Sequence, residues 1–229
     1  MIGTRFIDVR RLDEVDSTNR YLLDLARDGA PEGVVVVADY QTAGRGRRDR
    51  TWEARPGSAL LMSVLLRPPP PPAQWWRAGA AMALAAADAC GAAGTEAVIK
   101  WPNDLLTGDA KLAGVLAEAD GGAVVVGIGI NVGWAPPAAA ALGPGVDRDE
   151  LLAALLVNLE HWCRHWGEIA PAYRRRCGTV GRRVRVELSD RVVSGWATAV
   201  DTDGRLEVAA DTGEALRLAS AEVVHVTGA

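Results

Sequence analysis

Three aliphatic and β-branched stretches, Ala97 to Trp101, Leu112 to Glu118 and Ala123 to Asn131, follow one another with only short Pro-, Asn-, Asp- and Gly-bearing turns between them. Two parallel strands need a crossover of roughly a dozen or more residues, usually a helix, and these links are too short to hold one. The region therefore favours antiparallel or mixed pairing over a purely parallel sheet.

Upstream, Phe6 to Val15 mixes apolar and charged residues as an edge strand does, and Asp16-Ser17-Thr18-Asn19 offers oxygen side chains suited to capping a helix over Thr18 to Arg27, which stops at Gly29. Val34 to Ala38 and Ala59 to Leu66 read as strands, separated by a polar loop from Gln41 to Gly57. The prolines Pro68 to Pro72 form a stiff extended connector into an Ala-rich helix from Gln74 to about Ala93. Asp147 to about Arg176 is helical, with interruptions near Gly167 and Pro171. After Cys177-Gly178 come five short alternating runs: Arg183 to Leu188, Val192 to Val200, Arg205 to Ala209, Ala215 to Leu218 and Glu222 to Val226. They suggest a small barrel, so the chain divides into a catalytic unit, 1–177, and a cap, 178–229.

The net charge of −4 argues against a protein that coats nucleic acid. Cys90, Cys163 and Cys177 are too few and too scattered for a disulfide framework or a CxxC knuckle. The start lacks the apolar core of a secretory signal, and the best membrane-span candidate, 78–94, is short, rich in Ala and Gly, and broken by Asp88. The expected location is the cytoplasm. His161, Cys163 and His165 do not share one helix face, so zinc ligation is disfavoured. Trp75, Trp76, Trp162 and Trp166 read as packing residues.

Four segments carry chemistry. Gln41-Thr42-Ala43-Gly44-Arg45-Gly46-Arg47-Arg48-Asp49-Arg50-Thr51-Trp52 places four arginines within six positions, a self-repelling loop that calls for an anion. Its glycines let the backbone approach a ligand, and Trp52 offers a face for a planar base. It is neither a dinucleotide fingerprint nor a P-loop, because no helix-period pattern follows and no GxxxxGK[ST] occurs. Lys100-Trp101-Pro102-Asn103-Asp104 ends a strand with two oxygen-bearing side chains at the sheet rim. Lys111-Leu112-Ala113-Gly114 opens an apolar strand with a lysine, and Gly127-Ile128-Gly129-Ile130-Asn131 leaves a slot on one strand face. Lys100 and Lys111 are the only lysines among 25 basic residues, and both lie in these segments.

In this order, together with Asp16-Ser17-Thr18-Asn19, the segments resemble those of the biotin protein ligases over roughly Glu14 to Val132. The resemblance implies an α+β fold: a mixed-sheet catalytic domain like that of class II aminoacyl-tRNA synthetases, with helices on one face, plus an SH3-like C-terminal barrel. It implies activation of biotin by ATP and Mg²⁺ to biotinyl-AMP, then transfer to a lysine of a biotin carboxyl carrier protein or domain. Partners are then that carrier, with no nucleic acid or membrane, in a monomer or homodimer. Members that also act as repressors carry an N-terminal winged helix, for which no room is expected here.

By the same resemblance, Lys111, Arg47 and Asp104 are catalytic. Ser17, Thr18, Asn19, Gln41, Gly44, Arg45, Arg47, Lys111 and Gly114 surround biotin, while Arg47, Arg48, Trp52, Asn103, Lys111 and Asn131 hold ATP. Asp104 either helps hold Mg²⁺ or orients the incoming amine. Asp49 departs from the family loop, which has glycine there. The rival within the fold is a lipoate or octanoate transferase, against which the arginine loop and the Lys-Trp-Pro-Asn-Asp segment speak. An RNA-binding module is disfavoured by the acidic balance.

Overall fold

In the computed structural model, which describes residues 4–188 and 190–226, the aliphatic runs form a seven-stranded sheet ordered β1-β2-β3-β7-β6-β5-β4. Its strands are β1 (Val9–Val15), β2 (Val35–Gln41), β3 (Ala59–Leu66), β4 (Val98–Lys100), β5 (Asp104–Thr107), β6 (Ala110–Asp120) and β7 (Ala123–Asn131). β1 and β2 are parallel because the helix α1 (Thr18–Arg27) supplies the crossover between them, and the other neighbours are antiparallel. β3 and β7 sit at the centre, buried on both faces, which is why each reads as a continuous apolar run.

The helices α2 (Trp76–Ala92), α3 (Arg148–Arg164) and α4 (Ile169–Arg176) cover one face, over Leu60, Met62, Val64 and Leu66 of β3. The expectation of helices on one face needs a correction for α1, whose Leu22 and Leu23 pack on the opposite face against Val36, Leu65 and Val125. Two local readings change as well. Asp104 to Thr107, read as turn, forms the short strand β5, paired with β4 so that Asp104 sits opposite Lys100. Pro171 lies in the first turn of α4, where its missing N–H costs no helix bond, so it does not interrupt that helix. Asp147 caps α3, accepting from the N–H groups of Asp149 (2.7 Å) and Glu150 (3.0 Å).

The last five strands, β8 (Arg183–Glu187), β9 (Val192–Val200), β10 (Leu206–Ala210), β11 (Ala215–Leu218) and β12 (Glu222–His225), form an antiparallel sheet ordered β11-β10-β9-β8-β12. It abuts the catalytic sheet through tryptophans. Trp101 Nε1 donates to Gly204 O (2.9 Å), and Gly204, at φ 78°, is the only residue type that fits, because a Cβ there would strike the Trp76 ring. Trp76 in turn meets Tyr173 edge-on, with ring centroids 5.9 Å apart.

Thr179 completes the seam. Its hydroxyl accepts from the Trp101 N–H (2.9 Å) and lies 3.0 Å from His225 Nε2. Burial first, then the charges of Lys100 and Arg182, push the His225 imidazole from 6.5 down to about 4. Folding therefore keeps His225 neutral while the unfolded chain takes up a proton below pH 6.5. This contribution to stability is complete above that pH and is lost as the pH falls towards 4. The melting temperature should drop across that interval, and less steeply in His225→Asn, as followed by tryptophan fluorescence. Equal slopes would remove His225 from the account. Among the described residues no helix is long and apolar enough to cross a membrane.

Candidate active site

The arginine loop closes on itself through backbone bonds. Trp52 N–H donates to Gly44 O (2.9 Å), Gly46 N–H to Arg50 O (2.6 Å) and Arg50 N–H to Arg47 O (3.2 Å), and Arg45 bridges Thr51. The tip residues Arg48 and Asp49 both adopt left-handed backbone, at φ 54° and 57°, the conformation of a type I′ turn. Glycine would meet that demand without strain, and here two side-chain-bearing residues meet it instead. Gly44 is needed for the loop itself, since a Cβ there would press on Trp52 O. It lines neither of the cavities described next, although it adjoins the Gln41 side chain that lines the first.

The first cavity lies between the start of α1 and β7. The α1 N-terminus is capped differently from expectation: Ser17 makes no side-chain capping bond, and Gln41 Oε1, reaching over from β2, accepts from Thr18 N–H (2.7 Å) and Thr18 Oγ1 (3.1 Å). Asn19 is fixed on three sides. It accepts from Ser63 Oγ (2.6 Å), and its amide nitrogen donates to Glu118 Oε2 (2.8 Å) and Leu116 O (3.2 Å). Gly127 lets this side chain approach the sheet, and Gly129 does the same for the Trp52 ring, because a Cβ on either would overlap its neighbour. The result is a polar-ended slot lined by Ser17, Thr18, Asn19, Gln41 and Gly129, with Trp52 across it. Only about 30 Å³ remains open.

The second cavity, about 90 Å³, carries Arg45, Arg47, Arg48, Arg50, Lys100 and Lys111 on its walls, with Asp104 and Glu222 as its carboxylates. Several of these cations already have protein partners. Lys111 Nζ lies 2.7 Å from Asp104 Oδ1, Arg45 pairs with Glu118 (3.0 Å), and Arg50 pairs with Glu222 (3.0 Å). Among the described residues Arg47 reaches neutral oxygens, Asn103 Oδ1 (3.3 Å) and Ser220 Oγ. Burial, reinforced by the neighbouring Arg48, holds its guanidinium below the ordinary value. An anion delivered here would satisfy a charge that the protein leaves without a carboxylate.

Trp52 and Gly114 line both cavities, and Lys111 stands at their junction with its ammonium 5.5 Å from the Trp52 ring centroid. Asn103 fastens this corner: its side-chain amide nitrogen donates to Val115 O (2.8 Å), and its backbone carbonyl accepts from Val115 N–H (2.8 Å). Asn131 lines neither cavity. It is buried behind Lys111, and its amide donates to Ala140 O (2.9 Å), so it ties the 139–142 segment to the lysine's strand rather than facing the cavity.

Sequence reasoning missed Ser63, Glu118, Ser220 and Glu222. Each is an ordinary strand or turn residue until folding brings it to a partner at least 44 positions away. Lys100 was seen only as part of its segment. Its position opposite Asp104 across a two-strand turn was the available signal.

Comparison with known proteins follows this geometry closely. Residues 12–134 match the model of the biotin/lipoate A/B protein ligase family, and residues 179–226 match the biotin protein ligase C-terminal domain. A biotin–acetyl-CoA-carboxylase ligase of Mycobacterium tuberculosis is 38% identical over 98% of this chain and 90% of its own length. The corresponding enzyme of Paracoccus denitrificans is 31% identical over 85% of this chain and 91% of its own. The solved biotin protein ligase of Aquifex aeolicus in complex with biotin and ATP superposes with a TM-score of 0.82, at 25% identity, over 96% of this chain and all of that one.

Proposed function

Because the chain belongs to the biotin/lipoate A/B protein ligase family, we propose how its two adjoining cavities carry out biotin–protein ligation. The family model alone spans lipoate enzymes too. The C-terminal match to the biotin ligases and the two biotin ligase relatives favour biotin. The observation that carries the reading is the junction at Lys111, where an ammonium stands between a polar-ended slot and an arginine-walled cavity, with Arg45 on the walls of both. Biotin enters the slot with its ring near Ser17, Thr18, Asn19 and Gln41 and its carboxylate towards Lys111. ATP places its phosphates among Arg45, Arg47 and Arg48. The open volume beside Gly129 is about that of one water, so Trp52 must swing aside to admit the ring, which frees its face for adenine. Asn131 supports Lys111 from behind.

In the first step a biotin carboxylate oxygen attacks the α-phosphorus and pyrophosphate leaves. Both reactants are anions, so a fixed cation touching the shared oxygens lowers the barrier, by roughly 3–4 kcal/mol for one such donor. Lys111 is that cation, released from Asp104 as the substrates arrive. The donor set fits magnesium brought in by the nucleotide: Asp104 is an available carboxylate, and such ions are commonly held by one or two carboxylates plus phosphate oxygens. The ion would neutralise charge on the leaving phosphates. In the second step the neutral amine of a carrier lysine attacks the anhydride carbonyl, AMP leaves and the amine loses a proton. Asp104, no longer bound to Lys111, can orient that amine. The carrier is the biotin-accepting domain of a carboxylase.

Incubation of the protein with MgATP, equal amounts of biotin and lipoate, and both a biotin-acceptor and a lipoyl-acceptor domain, read by mass, tests the reading; lipoyl mass gained without biotinyl mass would refute it. Arg47→Gly removes a half-buried loop cation whose partners among the described residues are neutral oxygens, and should let biotinyl-AMP escape. Adenylate dissociation should accelerate at least tenfold, on the scale of losing a charge-assisted hydrogen bond of roughly 1.5–3 kcal/mol, with labelling of bystander lysines. An unchanged dissociation rate counts against it.

A further inference from the structure

We infer that Glu222 of the C-terminal sheet, with Ser220 beside it, is a positioning residue that holds the arginine loop closed over the adenylate. The inference rests on the ligase reading above and assigns the second sheet a specific task in the reaction.

The loop cannot be expected to hold this shape alone. Its tip places two non-glycine residues in left-handed backbone, at φ 54° and 57°, and four arginines repel one another within six positions. Three of those arginines are fixed from outside. Arg45 goes to Glu118 on the catalytic sheet, but Arg47 and Arg50 also reach across to the other sheet. Arg50 offers two nitrogens to the two oxygens of Glu222, at 3.2 Å and 3.0 Å, the forked geometry in which an ion pair on a protein surface holds best. The Glu222 side chain is only 26% exposed, and it lines the phosphate cavity.

Pinning Arg50 also fixes Arg47. Arg50 N–H donates to Arg47 O, and Arg50 O accepts from Gly46 N–H, so one tight turn joins the anchored residue to the phosphate-facing one. At the other end, β12 is itself anchored. Its register runs Glu222 to His225 along β8, and His225 meets Thr179, which accepts from the Trp101 backbone at the end of the Lys100 strand. The strap therefore spans from the loop, through β12, to the hairpin that carries Asp104. Severing it at Glu222 should speed loop opening without removing any group placed on biotin or ATP.

The test uses the full-length protein loaded with biotinyl-AMP from biotin and MgATP, followed by dilution and measurement of adenylate release. Glu222→Gln should release it roughly two- to fivefold faster, the factor expected of one well-oriented exposed pair. Arg50→Gln should match it, the double variant should add little, and the charge-swapped Arg50→Glu/Glu222→Arg protein should return towards the wild-type rate. A purely structural loosening would not be rescued by the swap. An unchanged or slower release in Glu222→Gln overturns the inference, the slower case showing instead that Glu222 competes with the nucleotide for Arg50. Failure of the wild type to release biotin-dependent pyrophosphate overturns the ligase reading itself, and this inference with it.

Discussion

Lys111→Ala is expected to slow biotin-dependent pyrophosphate release by roughly 10²–10³-fold, the cost of deleting one preorganised donor at a developing negative charge, while the protein still folds. The side chain is 40% exposed and belongs to neither hydrophobic core cluster, so its loss takes little packing with it. The deletion acts twice. It removes the cation at the junction of the two cavities, and it takes from Asp104 the ammonium 2.7 Å away that holds this carboxylate in place. Because the two side chains share one contact, Asp104→Asn in the Lys111→Ala background should slow the reaction by less than the product of the two single effects, a coupling that a double-mutant cycle in single-turnover adenylate formation would expose. Lys111→Arg should recover less than a conservative label suggests, because a planar guanidinium cannot occupy a point between two anions as an ammonium does. Near-normal pyrophosphate release by folded Lys111→Ala would remove Lys111 from catalysis.

Legibility in this chain depended on whether a signal was local. β3, β7 and α1 have the bounds that their residue patterns indicate, because continuous burial or one amphipathic face dictates composition along the whole element. β5 was hidden: four residues following Pro-Asn look like a turn, and only pairing with β4 and β6 makes them a strand. The same division runs through the site. Lys111 and the arginine loop stood out because each needs an unusual residue in an unusual place. Asn131 was named only through the family resemblance, and its partners are backbone carbonyls that no motif encodes. Glu222 was illegible for a sharper reason. It lies 172 positions from Arg50 on a strand whose neighbours alternate in the ordinary way, so only the docking of the two sheets gives its charge a purpose.

The alternating glycines of β7 show how far the structure refines such a reading, since they are expected to fail differently. A methyl group at Gly127 would overlap the Asn19 amide oxygen and come within 3.1 Å of Ser63 Oγ. Asn19 is buried and bonded to Ser63, Glu118 and the Leu116 carbonyl, so it cannot yield without leaving polar groups unpaired. The first turn of α1 must lift from the sheet instead. Overpacking of this kind costs typically ~1–3 kcal/mol, which in a chain of this size lowers the melting temperature by roughly 2–12 °C. Because Ser17, Thr18 and Asn19 move with that turn, Gly127→Ala should also raise the KM for biotin. At Gly129 the same methyl meets the Trp52 indole at Cε2, Cζ2 and Nε1, in the group that has to move when biotin binds. Gly129→Ala should therefore melt close to the wild type and show its defect in adenylate formation. Paired melting curves and biotin titrations of the two variants decide the matter: equal losses of stability would mean that Trp52 is as firmly seated as Asn19, and that the slot does not open by the swing of the tryptophan.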